Sequence, residues 1–134
     1  MHLKVYAALT LSILTLDIMA SRCVLWFRNN LRVTDNPVFS EFTKLKNKPT
    51  EVVCLFCFDD RYYGKSKWGA KRTDMHRAKF LLESVEDLRS NLRSLGNDLV
   101  VSMERPEDII PKIFVNGDNI LIYQKHFTAE EVFI

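Results

Sequence analysis

The chain has 134 residues, 47% of them hydrophobic and 27% charged, with a formal net charge of +2. This is the make-up of a soluble globular protein with room for one domain and one core. The three cysteines, odd in number and scattered, exclude a disulfide framework, and so small a charge does not by itself call for a polyanionic partner.

Residues 1–20 stand apart from the rest of the chain. His2 and Lys4 precede the apolar run Val5–Leu16, interrupted by Thr10, Ser12 and Thr15 and closed by Asp17. The run is shorter than the ~18 residues a membrane span needs, so no stable span is expected. It resembles the charged and apolar regions of a secretory signal, although Ile18 and Ala20 make an imperfect cleavage site. A transit peptide fits less well because no Arg precedes Arg22. An untidy start to the gene model is the third reading, and the sequence does not rank the three.

Cys23–Phe27 is a continuous apolar run rich in β-branched and aromatic residues, the pattern of a strand buried on both faces. A polar loop with two guanidiniums, Arg28 and Arg32, follows it. Asp35 and Asn36 are good N-caps and Pro37 suits the first helical turn, so a helix is expected over Pro37–Leu45. Val38, Phe39, Phe42 and Leu45 form its apolar face, and Pro49 ends the element. Glu51–Phe58 reads as a second buried strand. Cys54 and Cys57 form a C-x-x-C within it, but strand residues three apart face opposite sides, so they read as core cysteines. The exit loop Asp59–Arg72 interleaves Arg61, Lys65, Lys67, Lys71 and Arg72 with Tyr62, Tyr63 and Trp68. Such a mixture can bind single-stranded nucleic acid, but an ordered surface loop whose aromatics pack on a neighbouring domain is the favoured reading.

Thr73–Leu95 carries the clearest helical stripe: Ala78, Leu81, Leu82, Val85, Leu88, Leu92 and Leu95. Lys79–Glu83 and Glu86–Arg89 are spaced for pairing, and Gly96 is a natural residue just past the end. His76 has no second ligand at metal spacing and reads as a surface histidine; no metal site is expected. Asp98–Ser102 is a third strand, Pro106 opens a helix in which Pro111 is awkward, and Asn119–Tyr123 is a fourth strand. Thr128–Ile134 begins another helix. Alternating strands and helices argue for an α/β fold: an open, parallel, Rossmann-like sheet with flanking helices, in one domain over residues 21–134. The strand exits Arg28–Thr34, Asp59–Arg72, Met103–Arg105 and Gln124–Phe127 then gather along one edge, where such sheets hold ligands.

The residues Trp26-Phe27-Arg28-Asn29-Asn30-Leu31-Arg32-Val33-Thr34-Asp35-Asn36 resemble the opening signature of the photolyase/cryptochrome family. Lys71–Arg89 resembles the DASH cryptochromes specifically, as do Cys57-Phe58-Asp59-Asp60-Arg61-Tyr62-Tyr63 and Arg105-Pro106-Glu107-Asp108. The resemblance runs continuously over about residues 21–134. It implies the N-terminal, antenna-binding α/β domain of a blue-light flavoprotein. In that family this domain carries a chromophore, 5,10-methenyltetrahydrofolate in the DASH branch, while a separate helical domain binds FAD and takes up damaged DNA. Antenna light drives electron transfer from the reduced flavin to a cyclobutane pyrimidine dimer, preferentially in single-stranded DNA; some members signal instead. The intact relative would be a deoxyribodipyrimidine photolyase, a carbon–carbon lyase of the nucleus, cytoplasm or an organelle.

By resemblance the antenna residues are Arg28, Asn30, Arg32 and His126. Asn30 stands where the family usually has Asp, and His126 where it places a folate-binding carboxylate. The sheet ends before the family's fifth strand, residues 1–20 have no counterpart, and the helical domain is missing, so this chain alone is expected to be inactive. The alternatives are a free-standing folate- or nucleotide-binding module and a non-catalytic remnant.

Overall fold

The computed structural model of the chain describes residues 21–125. Its strands are β1 (Ser21–Phe27), β2 (Glu51–Cys57), β3 (Leu99–Ser102) and β4 (Asp118–Tyr123). Its helices are α1 (Pro37–Lys44), α2 (Met75–Ser94) and α3 (Pro106–Ile113), with a short 3-10 turn over Asp60–Tyr62. The strands form one parallel sheet in the order β3-β2-β1-β4. The expected open α/β sheet is therefore present.

Strand β1 lies at the centre because its residues are apolar on both faces. Cys23, Leu25 and Phe27 point to one side, where Cys54, Phe56 and Leu99 join them beneath Val38 of α1 and Val85, Leu88 and Leu92 of α2. Val24 points to the other side, with Leu55 and Cys57 beneath Ile110 of α3. In register, Leu25 sits between Cys54 of β2 and Ile122 of β4. The C-x-x-C is split between these two layers, as the strand period requires. All three cysteines are free and buried. Burial pushes the Cys57 thiol up to about 12 and those of Cys23 and Cys54 up to about 11, far from the low values of reactive thiols.

Several boundaries differ from the sequence pattern, each for a local reason. Strand β1 already includes Ser21, the first described residue, whose amide and carbonyl exchange hydrogen bonds with Thr50. Helix α2 begins at Met75, because Asp74 adopts an extended backbone and its carboxylate accepts from the Met75 amide. Thr73 lies outside the helix and donates its hydroxyl to the Tyr62 carbonyl at 2.6 Å. The helix ends where Gly96 takes φ +84, leaving the Gly96 amide bonded to the Arg93 carbonyl and the Asn97 amide to that of Leu92.

The stripe of α2 is narrower than expected. Leu82 is exposed because it lies about 100° round the helix from Leu81, and Leu95 is exposed as the cap residue just beyond Ser94, where the helix has ended. Lys79 and Glu83 pair at 3.7 Å. Arg89 turns instead to Asp98, at 2.8 Å, which Arg93 shares at 3.1 Å. The carboxylate at the start of β3 is held in place and offers both oxygens, whereas Glu86 is an exposed side chain on the same helix. Pro111 stays within α3, where it forgoes one bond to the Glu107 carbonyl in a helix of only two turns.

Candidate functional site: the cleft at the strand exits

The carboxyl ends of β1 and β2 open into a cleft of about 460 Å³, closed at its sides by α2 and the start of α3. Its walls include Trp26, Arg28 and Arg32 from β1 and its exit, Arg61 and Tyr62 from the exit of β2, and Phe80 from α2. The Arg28 guanidinium lies 5.1 Å from the centre of the Trp26 ring and donates to the Tyr62 hydroxyl oxygen at 3.4 Å. Trp26 in turn packs on Tyr123 of β4, with ring centres 5.2 Å apart. The Trp26 ring, backed by Tyr123 of the neighbouring strand, thus carries a guanidinium that the turn after β2 holds through Tyr62.

The loop after β1 is fixed from inside. Asn30 is buried; its side-chain oxygen accepts from the Arg28 amide at 3.1 Å and its nitrogen donates to the Asn36 oxygen at 2.8 Å. Asn36 caps α1 by accepting from the Val38 amide at 3.0 Å. On the opposite wall, the buried Asp59 accepts two hydrogen bonds from Arg61 Nε, at 2.8 and 3.0 Å, and a further one from Arg61 Nη2. Arg61 also reaches Glu107 at 2.9 Å, and these carboxylates, Asp59 first, push its ionisation well above the usual arginine value. Arg105 grips Asp60 bidentately at 2.8 and 3.0 Å, holding that carboxyl below its usual range. The β2 exit is thereby bolted to the start of α3.

Beyond this clamp the exit loop turns outward. Lys65 and Lys71 form an antiparallel bridge. The turn closes through Ser66 to Ala70 at 2.8 Å and Gly69 to Ser66 at 2.9 Å, with Gly69 at φ +80. At its tip Trp68 is 83% exposed, with the Lys67 ammonium 5.0 Å above its ring. The basic–aromatic stretch therefore divides: Arg61 and Tyr62 face the cleft, while Lys65, Lys67, Trp68 and Lys71 project from it.

Of the residues singled out from the sequence, Arg28 and Arg32 line the cleft. Asn30 lies behind them, its side chain engaged in the loop. His126 lies outside the described residues. Sequence reasoning missed Arg77, Phe80 and Glu107 as wall residues, because nothing in helical spacing says which neighbouring loop a helix's first turns will meet. Among the described residues no group of His, Cys, Asp or Glu could hold a metal ion, and no helix is long and apolar enough to cross a membrane.

The DNA photolyase family profile matches residues 23–128. The cryptochrome DASH of Gloeobacter violaceus is 42% identical over 118 residues, covering 87% of this chain and 23% of that protein. The chloroplastic/mitochondrial cryptochrome DASH of Ostreococcus tauri is 39% identical over 116 residues, covering 83% and 21%. The crystal structure of a Synechocystis cryptochrome superposes with a TM-score of 0.70 at 28% identity, covering 85% of this chain and 23% of that one. The chain spans less than a quarter of the length of each of these three proteins. With the motifs at the exits of β1 and β2 lying inside the matched region, the chain belongs to the DNA photolyase family.

Proposed function

We propose that this chain supplies the antenna-chromophore unit of a DASH-type blue-light flavoprotein, holding a reduced folate in the strand-exit cleft. The observation that carries this reading is the cleft itself. Its volume falls within the range of small-molecule sites, and it joins an aromatic wall to a few fixed polar groups. Four guanidiniums, from Arg28, Arg32, Arg61 and Arg77, outnumber the carboxylates of Asp59 and Glu107 among its lining residues. That balance favours a planar ligand with an anionic tail, which 5,10-methenyltetrahydrofolate is. Trp26 and Tyr62 would flank the ring, and Arg28 and Arg32 would meet the carboxylates. When bound, the chromophore supplies light capture; the chain's own residues bind and orient it. FAD and DNA belong, by the resemblance, to a helical domain beyond the α/β unit. Repair of pyrimidine dimers, or signalling, is accordingly proposed for a protein that joins the two.

The test is a titration of the full chain with 5,10-methenyltetrahydrofolate, followed by its fluorescence. Saturable binding that Arg28→Ala weakens supports the reading. The absence of saturable binding by both this chain and its His126→Glu variant overturns it.

The exposed tip of the 64–72 turn favours a second contact, with single-stranded nucleic acid. Trp68 offers a stacking face, and Lys65, Lys67 and Lys71 make no ion pair among the described residues. Base stacking on an aromatic side chain contributes about 1–3 kcal/mol. A labelled oligothymidylate should bind weakly and in a salt-dependent way, and Trp68→Ala should weaken it by roughly tenfold. Equal binding by the variant counts against this contact.

A further inference from the structure

The loop from Arg28 to Asp35 presents its guanidiniums to the cleft, and one side chain dominates its shape. Asn36 is 2% exposed. Its side-chain nitrogen donates to the carbonyl of Asn30 at 3.0 Å and to that of Arg32 at 2.7 Å. Its oxygen accepts from Asn30 Nδ2 at 2.8 Å and from the Val38 amide at 3.0 Å. Four bonds from one buried amide thus fold the chain back on itself and dock the result on the first turn of α1. Arg32 Nε adds a bond to the Asp35 carbonyl at 3.0 Å, with Asp35 at φ 47.

We propose that Asn36 is a positioning residue of the cleft: its two N–H donations set where Arg32, and through Asn30 the Arg28 backbone, stand against a ligand. A loop ordered in advance need not be ordered at the moment of binding, so its fixation shows as affinity. The functional half of this inference rests on the ligand-binding reading above; the structural half does not.

The two duties of Asn36 separate chemically. A carboxylate in its place still accepts from Val38 and Asn30 and caps a helix as well as asparagine does, but it has no N–H for the carbonyls of residues 30 and 32. In Asn36→Asp, hydrogen exchange at the Val38 amide should therefore stay unchanged. Exchange at the Arg32 amide, which bonds the Asn30 carbonyl at 2.9 Å, should accelerate about tenfold or more. Affinity for 5,10-methenyltetrahydrofolate should fall about ten- to thirtyfold, the worth of two neutral hydrogen bonds. In an Arg32→Gln background the same substitution should cost less than it does in the wild type, because one of the two groups being positioned is gone and only Arg28 remains. Unchanged exchange at Arg32 overturns the proposal. So does additivity of the two losses, which would leave Asn36 a helix cap and no more. If neither this chain nor His126→Glu binds folate, the chromophore reading falls, and the exchange comparison alone decides whether Asn36 fixes the loop.

Discussion

The side chains of Asn30 and Asn36 meet amide to amide, nitrogen to oxygen at 2.8 Å, in the buried interior of the loop after β1. The contact joins the carboxyl end of the central strand to the amino end of α1. It predicts an ordering of stabilities. Asn30→Ala removes the acceptor of the Arg28 amide and one partner of Asn36, and should cost about 1–2 kcal/mol. Asn36→Ala also uncaps α1, leaves the Arg32 carbonyl without its Asn36 donor and the Asn30 carbonyl with the Arg32 amide alone, and should cost about 2–4 kcal/mol. Urea midpoints of the two variants, compared at equal m-value, give the order; Asn30→Ala as the costlier would contradict it.

The burial pattern of α2 separates two leucines that look alike in the sequence. Leu88 is fully buried against the sheet, whereas Leu82 is 57% exposed. Leu88→Ala should destabilise by about 2–5 kcal/mol through lost contact and a residual cavity. Leu82→Ala should stay within about 0.5 kcal/mol. Comparable losses in chemical denaturation would mean that the face of the helix is misassigned.

Asp98 links the end of α2 to β3, accepting from Arg89 and Arg93 and from the Leu99 amide. The Arg89 hydrogen bond foremost, then that of Arg93, holds its carboxyl well below the usual range. A folded-state value lowered in this way adds stability above the unfolded value of about 3.9 and loses it as pH falls through the folded one. Thermal melting of the wild type should therefore exceed that of Asp98→Asn by a constant margin between about pH 5 and 7, narrowing from about pH 4 downward. The pair is exposed, so added salt should shrink the margin. A margin unchanged at about pH 2 would refute the electrostatic origin.

With all three thiols buried and raised, the native chain should react slowly with a disulfide reagent near neutral pH and titrate three thiols promptly once unfolded. Rapid native modification, or a reversible Cys54–Cys57 crosslink, would revive redox chemistry for the C-x-x-C.

By the family resemblance, His126 stands where a carboxylate would meet a folate antenna. A carboxylate accepts hydrogen bonds from the donor edge of a pterin, and a neutral imidazole offers a single acceptor. Leaving such donors without that partner costs about 1–3 kcal/mol, so folate binding by this chain should be weak and His126→Glu should tighten it roughly tenfold or more. Tight binding by the wild type that His126→Glu weakens would remove the role assigned to this position.

The element order, the two-faced burial of Cys23–Phe27 and the opposite facing of Cys54 and Cys57 were legible because strand and helix periods are local properties of the chain. So was the capping role of Asn36, which comes from its place before Pro37. The same reasoning could not tell Leu88 from Leu82, nor foresee that Arg89 would pair with Asp98 rather than Glu86. These outcomes depend on the angle at which α2 meets the sheet and on the turn at its carboxyl end.

What the sequence by itself determined is an alternating α/β chain whose basic loops converge at one edge of a parallel sheet, with motifs that place it in its family. The tertiary structure alone decided how those loops are used. It turned Arg61 inward because Asp59 is buried at 3% exposure and needs a cation, and Glu107 lies within reach of the same guanidinium. It left Trp68 outside because the Lys65–Lys71 bridge closes a turn too short to fold its tip back. It made Asn36 the inner fastening of the loop because only the folded chain brings the carbonyls of Asn30 and Arg32 to one amide. Patterns along a chain record what each residue prefers; which partner it meets is decided by packing between segments far apart in sequence.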